Sequence, residues 1–118
     1  MSNQAVRQYW ISFREQASDE AIAAKDSQSA IFALFSYYRG LPGEERSIID
    51  RLLAEQLGED DEDVWFDALA VLDEFRIRSA LPALHQLADC LESAHGPSAP
   101  YDWAKVNRLI AYLTAKPE

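Results

Sequence analysis

Five consecutive carboxylates, Glu59-Asp60-Asp61-Glu62-Asp63, form the densest group of chemically capable side chains in this sequence. Such a run could ligate a hard cation or meet a cationic partner. A calcium loop alternates its ligands with spacer residues, turns on a glycine and closes with a glutamate. That alternation is missing here, so no metal is expected. In water each close pair of these acids repels by about 1 kcal/mol. Placed just before Val64, however, they suit the positive end of a helix, which favours acids and accepts an Asp as cap.

The remaining reactive types do not converge. Cys90 is the single cysteine, and the only histidines are His85 and His95. His85 and Cys90 are five positions apart on one expected helix, about 140° around its axis, so they do not face each other. Cys90 is read as a small, partly buried apolar residue beside Leu87 and Leu91. His95 falls in the segment His95-Gly96-Pro97-Ser98-Ala99-Pro100, read as a linker. Neither a Ser-His-Asp set nor a Gly-rich phosphate loop is present. The expectation is a non-catalytic protein with no cofactor.

Charge is distributed unevenly. Residues 1–40 carry four basic and four acidic side chains, and residues 76–118 carry five and four. Residues 41–75 carry Arg46 and Arg51 against twelve acids and sum to −10, so the whole acidic excess behind the net charge of −9 lies there. Nucleic acid binding calls for basic groups against phosphates and is not expected. A protein partner with a basic surface is compatible with the acidic block. The N-terminus lacks a signal-peptide pattern, and no apolar run reaches the roughly 20 residues that span a bilayer. One cysteine permits no internal disulfide, which fits a reducing compartment. A cytoplasmic protein without membrane association is therefore expected.

The elements that would position these groups are helices. With 118 residues and 48% hydrophobic content, the chain is read as a single helical domain, residues 1–118. Val6, Trp10, Phe13 and Ala17 give the first helix one face, and its continuity near Ser18 is left open. Asp26-Ser27 can cap a second helix, in which Ile31, Leu34, Phe35 and Tyr38, widened by Phe32 and Tyr37, suggest the most enclosed element. Gly40 suits a left-handed helix end. A third helix runs from Pro42 or Gly43 to Leu57, with Ile48, Ile49, Leu52 and Leu53 on its face. Gly58 stops it. The fourth carries Val64, Ala68, Leu72 and Phe75. Ser79 can cap the fifth, with Pro82 in its first turn and Leu81, Leu84, Leu87, Ala88 and Leu91 on its face. Tyr101 and Asp102 open the sixth, in which Trp103, Val106, Ile110 and Leu113 repeat. Lys116-Pro117-Glu118 should fray. No stretch alternates as a strand would. The expected class is all-α, built of stacked antiparallel helical hairpins, about six helices in all.

Residues 60–93 resemble a HEAT repeat. They offer Asp63-Val64, Ala68 and Leu72 in a first helix, Arg76 and Arg78 at the turn, then Ala80-Leu81-Pro82-Ala83-Leu84 with Leu87 and Leu91. The departure is Trp65, where the family usually carries an Arg that joins a ladder of charged pairs. The resemblance implies a short α-solenoid-like stack with a face for partners, closed by capping helices.

Trp10 and Trp103 lie on apolar stripes and read as core. Trp65 sits at a position usually exposed in the resembled repeat. The expected partner-binding residues are therefore Asp60, Asp61, Glu62, Asp63, Trp65, Phe66 and Asp67, a carboxylate patch with an aromatic anchor. In size and charge the chain is similar to small acidic bacterial immunity proteins, which neutralise a basic toxin domain. The alternatives are a HEAT-like adaptor, a homodimer formed through extra apolar positions on the second and sixth helices, and, more remotely, an enzyme with a helical pocket.

Overall fold

A computed structural model describes residues 2–93 and 99–115. Among these residues the protein is all-α, with six α-helices, one short 3-10 turn and no strand. No helix in the described residues is long and apolar enough to cross a membrane. His95 and Lys116-Pro117-Glu118 lie outside the described residues, as do Gly96, Pro97 and Ser98 of the expected linker. The backbone groups into two compact units, residues 1–52 and 53–118.

In the first unit, α1 (Asn3–Ala24) packs along α2 (Ser27–Arg39), and the first ten residues of α3 (Gly43–Gln56) complete the set. Helix α1 is continuous through Ser18 for 22 residues. Ser2 starts it, its hydroxyl accepting the Ala5 amide at 3.1 Å. Its inward line is Val6, Trp10, Ala17 and Ala21, with Phe13 half-buried beside Tyr37 at 4.6 Å between ring centroids. Trp10 is 1% exposed and meets Tyr37 edge-on at 5.7 Å. Helix α2 is less enclosed than its composition suggests. Leu34 and Tyr38 are buried, but Phe32 is 60% exposed, because it lies on the opposite side of the helix from that pair. Asp26 occupies the N-cap position without a side-chain capping bond.

Two polar contacts tie α3 to α2. Tyr38 donates its hydroxyl to Asp50 Oδ1 at 2.7 Å. Arg46 donates to the Arg39 carbonyl at 2.6 Å, at the C-terminal end of α2. Burial raises the Asp50 carboxyl above its ordinary value, against the lowering pull of the Tyr38 bond and of Arg46. Burial first, and then the bond to Asp50, push the Tyr38 hydroxyl up as well.

The second unit holds residues 53–56 of α3, then α4 (Glu62–Glu74), the 3-10 turn Arg78–Ala80, α5 (Leu81–Glu92) and α6 (Ala99–Thr114). The closest helix packing within it is α5 against α6. Buried Leu84, Leu87 and Ala88 of α5 and Val106, Leu109, Ile110 and Leu113 of α6 supply the apolar faces. Helix α6 begins at Ala99, two residues before the expected opening at Tyr101. Ser79 does not cap α5. It lies inside the 3-10 turn, and Ala80 holds the cap position without a side-chain bond. Pro82 does sit in the first turn.

Among the described residues, left-handed backbone falls on side-chain-bearing residues rather than on glycine. Gly40 has φ −80°, whereas Lys25 has φ 57° and Arg76 φ 53°. After α1, the Lys25 amide reaches the Ile22 carbonyl and the Asp26 amide reaches that of Ala21. After α4, the Arg76 amide reaches Asp73 and that of Ile77 reaches Leu72. Both are paired bonds of the Schellman type, which normally carry glycine. Arg76 offsets its backbone strain through its side chain: the guanidinium lies 3.6 Å from the Tyr112 ring centroid and pairs with Asp73 at 3.2 Å.

Two outcomes follow for stability. Left-handed geometry costs a non-glycine residue roughly 1–2 kcal/mol, and a glycine gives part of that back as entropy of the unfolded chain. Lys25→Gly should therefore stabilise by about 0.5–1 kcal/mol, whereas Arg76→Gly should gain nothing, having lost a cation–π contact worth about 0.5–1 kcal/mol. Chemical denaturation of both variants checks the pair, and equal gains would contradict it. Asp50→Asn keeps an acceptor for Tyr38 and removes a carboxylate that burial disfavours. Asp50 binds its proton more readily folded than unfolded, so its contribution to stability grows as pH falls through its raised value. Asp50→Asn should accordingly be at least as stable as the parent at neutral pH, with the difference closing on acidification. A pH series of denaturation curves reads this, and a difference that widens on acidification would refute it.

Candidate partner-binding site

The acidic run folds as the entry to α4. Asp61 is the N-cap, its Oδ1 accepting the Asp63 amide at 2.9 Å. Glu62 and Asp63 occupy the first turn, where the helix dipole favours negative charge. Glu59 and Asp60 precede the helix. All five side chains are exposed, and Asp67, one turn further on, is half-buried and partnered.

Trp65 does not protrude among these carboxylates. It is 5% exposed, a core residue, so the surface anchor expected of it is absent. The reason is periodicity. Trp65 precedes Ala68, Leu69 and Leu72 by three, four and seven positions, and all three of those residues are buried. Phe66, one position on, is half-buried. Its ring lies 4.3 Å from that of Trp65 and 5.8 Å from the Lys105 ammonium. Trp103 moves the other way. Expected in the core, it is 40% exposed, because it lies at the edge of the buried face of α6: Val106 and Ile110, three and seven positions on, mark that edge, while Asp102, Leu109 and Leu113 centre the face further round the helix. Trp10 is core, as its stripe indicates.

Between the end of α3, the acidic run and α5 lies a cavity of about 560 Å³. Asp60, Glu62 and Trp65 line it, together with Glu55 and Glu59. Its α5 wall is Ala83, Gln86, Leu87, Cys90 and Leu91, which recur at three, four, seven and eight positions and so form one helical stripe. Cys90 is exposed on that wall rather than tucked into the core. Of the expected site residues, the structure thus brings Asp60, Glu62 and Trp65 together at the cavity. Asp61 and Asp63 are paired in the cap. Phe66 and Asp67 are not among the cavity-lining residues.

The lining contributed by Glu55, Gln86 and Cys90 is not evident from the acidic run alone. A signal for it exists in α5, where Gln86 and Cys90 interrupt an otherwise apolar face that also carries Ala83, Leu87 and Leu91. A second grouping, Tyr101, Lys105, Arg108 and Tyr112, occupies the exposed side of α6 at spacings of four, three and four. Among the described residues, no three His, Cys, Asp or Glu side chains are grouped so as to hold a metal ion.

The burial of Trp65 makes it a stability residue first. Trp65→Ala should cost about 3–5 kcal/mol, the range for a large core aromatic, and Phe66→Ala less than half of that. Equilibrium unfolding measures both, and a Trp65→Ala cost below about 1 kcal/mol would contradict core placement. Comparison with family models, with curated proteins and with solved structures finds no match to this chain.

Proposed function

We propose that this protein is a non-catalytic binder of another protein, and that it neutralises a basic toxin domain in the manner of an immunity protein. The observation that carries this reading is the exposure of five consecutive carboxylates at the entry to a helix, Glu59 to Asp63. A surface of one sign raises the encounter rate with a partner of the other sign and rejects like-charged competitors. The backbone that carries Asp61, Glu62 and Asp63 is set by a cap and a helix start, which lowers the ordering needed on binding. Asp60, Asp61, Glu62, Asp63 and Asp67 would face Lys and Arg residues lining the toxin's substrate cleft. Phe66, half-buried, takes the anchoring role first given to Trp65. The similarity to HEAT repeats supplies a further expectation, a stacked face for partners, that belongs to this same reading.

A homo-oligomer is the second reading. Phe32 in the first unit, and Tyr101, Trp103 and Tyr112 in the second, are large hydrophobic side chains between 40% and 70% exposed. Exposed aromatics of this kind are enriched where proteins meet. Light scattering across a concentration series separates the two readings.

The immunity reading requires that the adjacent open reading frame encode a toxin with a basic catalytic domain, and that co-expression of this chain restore growth of cells making it. Glu59→Lys with Asp60→Lys leaves the Asp61 cap intact. This double reversal should slow association with that toxin by tenfold or more and flatten its dependence on salt. An unchanged on-rate, or a toxin that kills with or without this chain, would dismiss the proposal.

A further inference from the structure

We infer that the cavity beside the acidic run is a docking pocket for a cationic amphipathic segment of a protein partner, one that carries a Lys or Arg next to an aliphatic residue. This inference rests on the protein-binding reading above and specifies where and how the partner would engage. The apolar lining is Ala54, Leu57, Trp65, Ala83, Leu87 and Leu91, of which Leu57, Trp65 and Leu87 are buried and form its floor. The rim carries four carboxylates, Glu55, Glu59, Asp60 and Glu62. The volume of about 560 Å³ is within the range of pockets that enclose a ligand of several side chains. A purely apolar occupant would partly desolvate Glu59, Asp60 and Glu62 without offering them an opposite charge, which is costly. A bare cation would leave the apolar floor without a contact. Lys and Arg match both halves, because their aliphatic stems lie on apolar surface while their heads remain with the charges. The guanidinium is the better fit, being weakly hydrated and shaped for paired bonds to carboxylates.

Cys90, the only cysteine, lies exposed on the pocket wall and reports occupancy directly. The experiment measures the rate of maleimide labelling of Cys90 in the intact chain with three synthetic helical peptides: one of Leu and Arg in amphipathic register, its Leu and Glu counterpart, and an all-polar Arg and Ser peptide. The Leu–Arg peptide should slow labelling at least tenfold, and the other two by less than twofold. Ala83→Trp and Gln86→Trp each fill the pocket while keeping every rim carboxylate. Either one, shown by circular dichroism to remain helical, should abolish binding of the Leu–Arg peptide. Protection by the Arg–Ser peptide to the same extent, or binding that survives both fillings, would overturn the pocket and leave only electrostatic adhesion to the acidic surface. Concentration-dependent protection of Cys90 without any peptide, lost on filling, would also overturn it by assigning the pocket to a second copy of this chain. Loss of toxin binding on Glu59→Lys with Asp60→Lys but not on Ala83→Trp would sink the pocket while sparing the acidic-face reading.

Discussion

The hydrogen bond from the Asp63 amide to the Asp61 carboxylate sets the arrangement around the candidate site. An uncapped helix start exposes amides with no partner, and a run of five acids would otherwise be a source of repulsion. Here the two difficulties offset each other. The cap satisfies a backbone donor, and the positive end of α4 stabilises Glu62 and Asp63. Because helical geometry begins there, Glu59 and Asp60 lie outside it, at the lip of the cavity, while Glu62 joins them from the first turn. Trp65 then falls on the inward line with Ala68, Leu69 and Leu72. One local bond therefore places the carboxylates outside and the large aromatic inside, within four residues of each other.

Much of this was legible in the chain because helical periodicity reports burial directly. The lines through Val6, Trp10 and Ala17, through Ile49, Leu52 and Leu53, and through Leu84, Leu87 and Ala88 are buried as spaced. Single aromatic residues were less legible, since a stripe wider than one turn has uncertain edges. Trp103 sits one residue from buried Asp102, and buried Trp65 is flanked by half-buried Val64 and Phe66, so 100° of helix rotation decides their fate. For Trp65, the resemblance to a repeat whose equivalent position is exposed pointed outward. Its spacing to Ala68 and Leu72 pointed inward, and spacing prevailed.

Helix ends were the least legible. Glycine marks a left-handed end only statistically. Gly40 keeps a right-handed conformation, while Lys25 and Arg76 accept the strained one. For Arg76 the compensation lies far along the chain, in the ring of Tyr112. No local pattern around Phe75-Arg76-Ile77 reveals a partner thirty-six positions away. The same holds for the cavity. Its acidic rim is contiguous in sequence, but its α5 wall is a stripe contributed by another helix. Only the fold brings Glu59 and Cys90 to the same pocket.

The two halves of that pocket place opposing demands on an occupant. Carboxylates at a rim retain water on one side, so their attraction for a cation is modest unless the cation arrives with something that excludes solvent. Apolar surface alone gives affinity without choosing a sign of charge. Joined, the apolar floor displaces water, and the lower local dielectric strengthens each ion pair at the rim. Selectivity would then come from the mismatch that a wrong ligand suffers: an acidic segment would meet like charges, and a neutral one would desolvate Glu59, Asp60 and Glu62 without pairing them. An acidic surface without the floor would attract any basic protein weakly. With the floor beside it, the same charges would discriminate among basic partners by the aliphatic group that accompanies each cation.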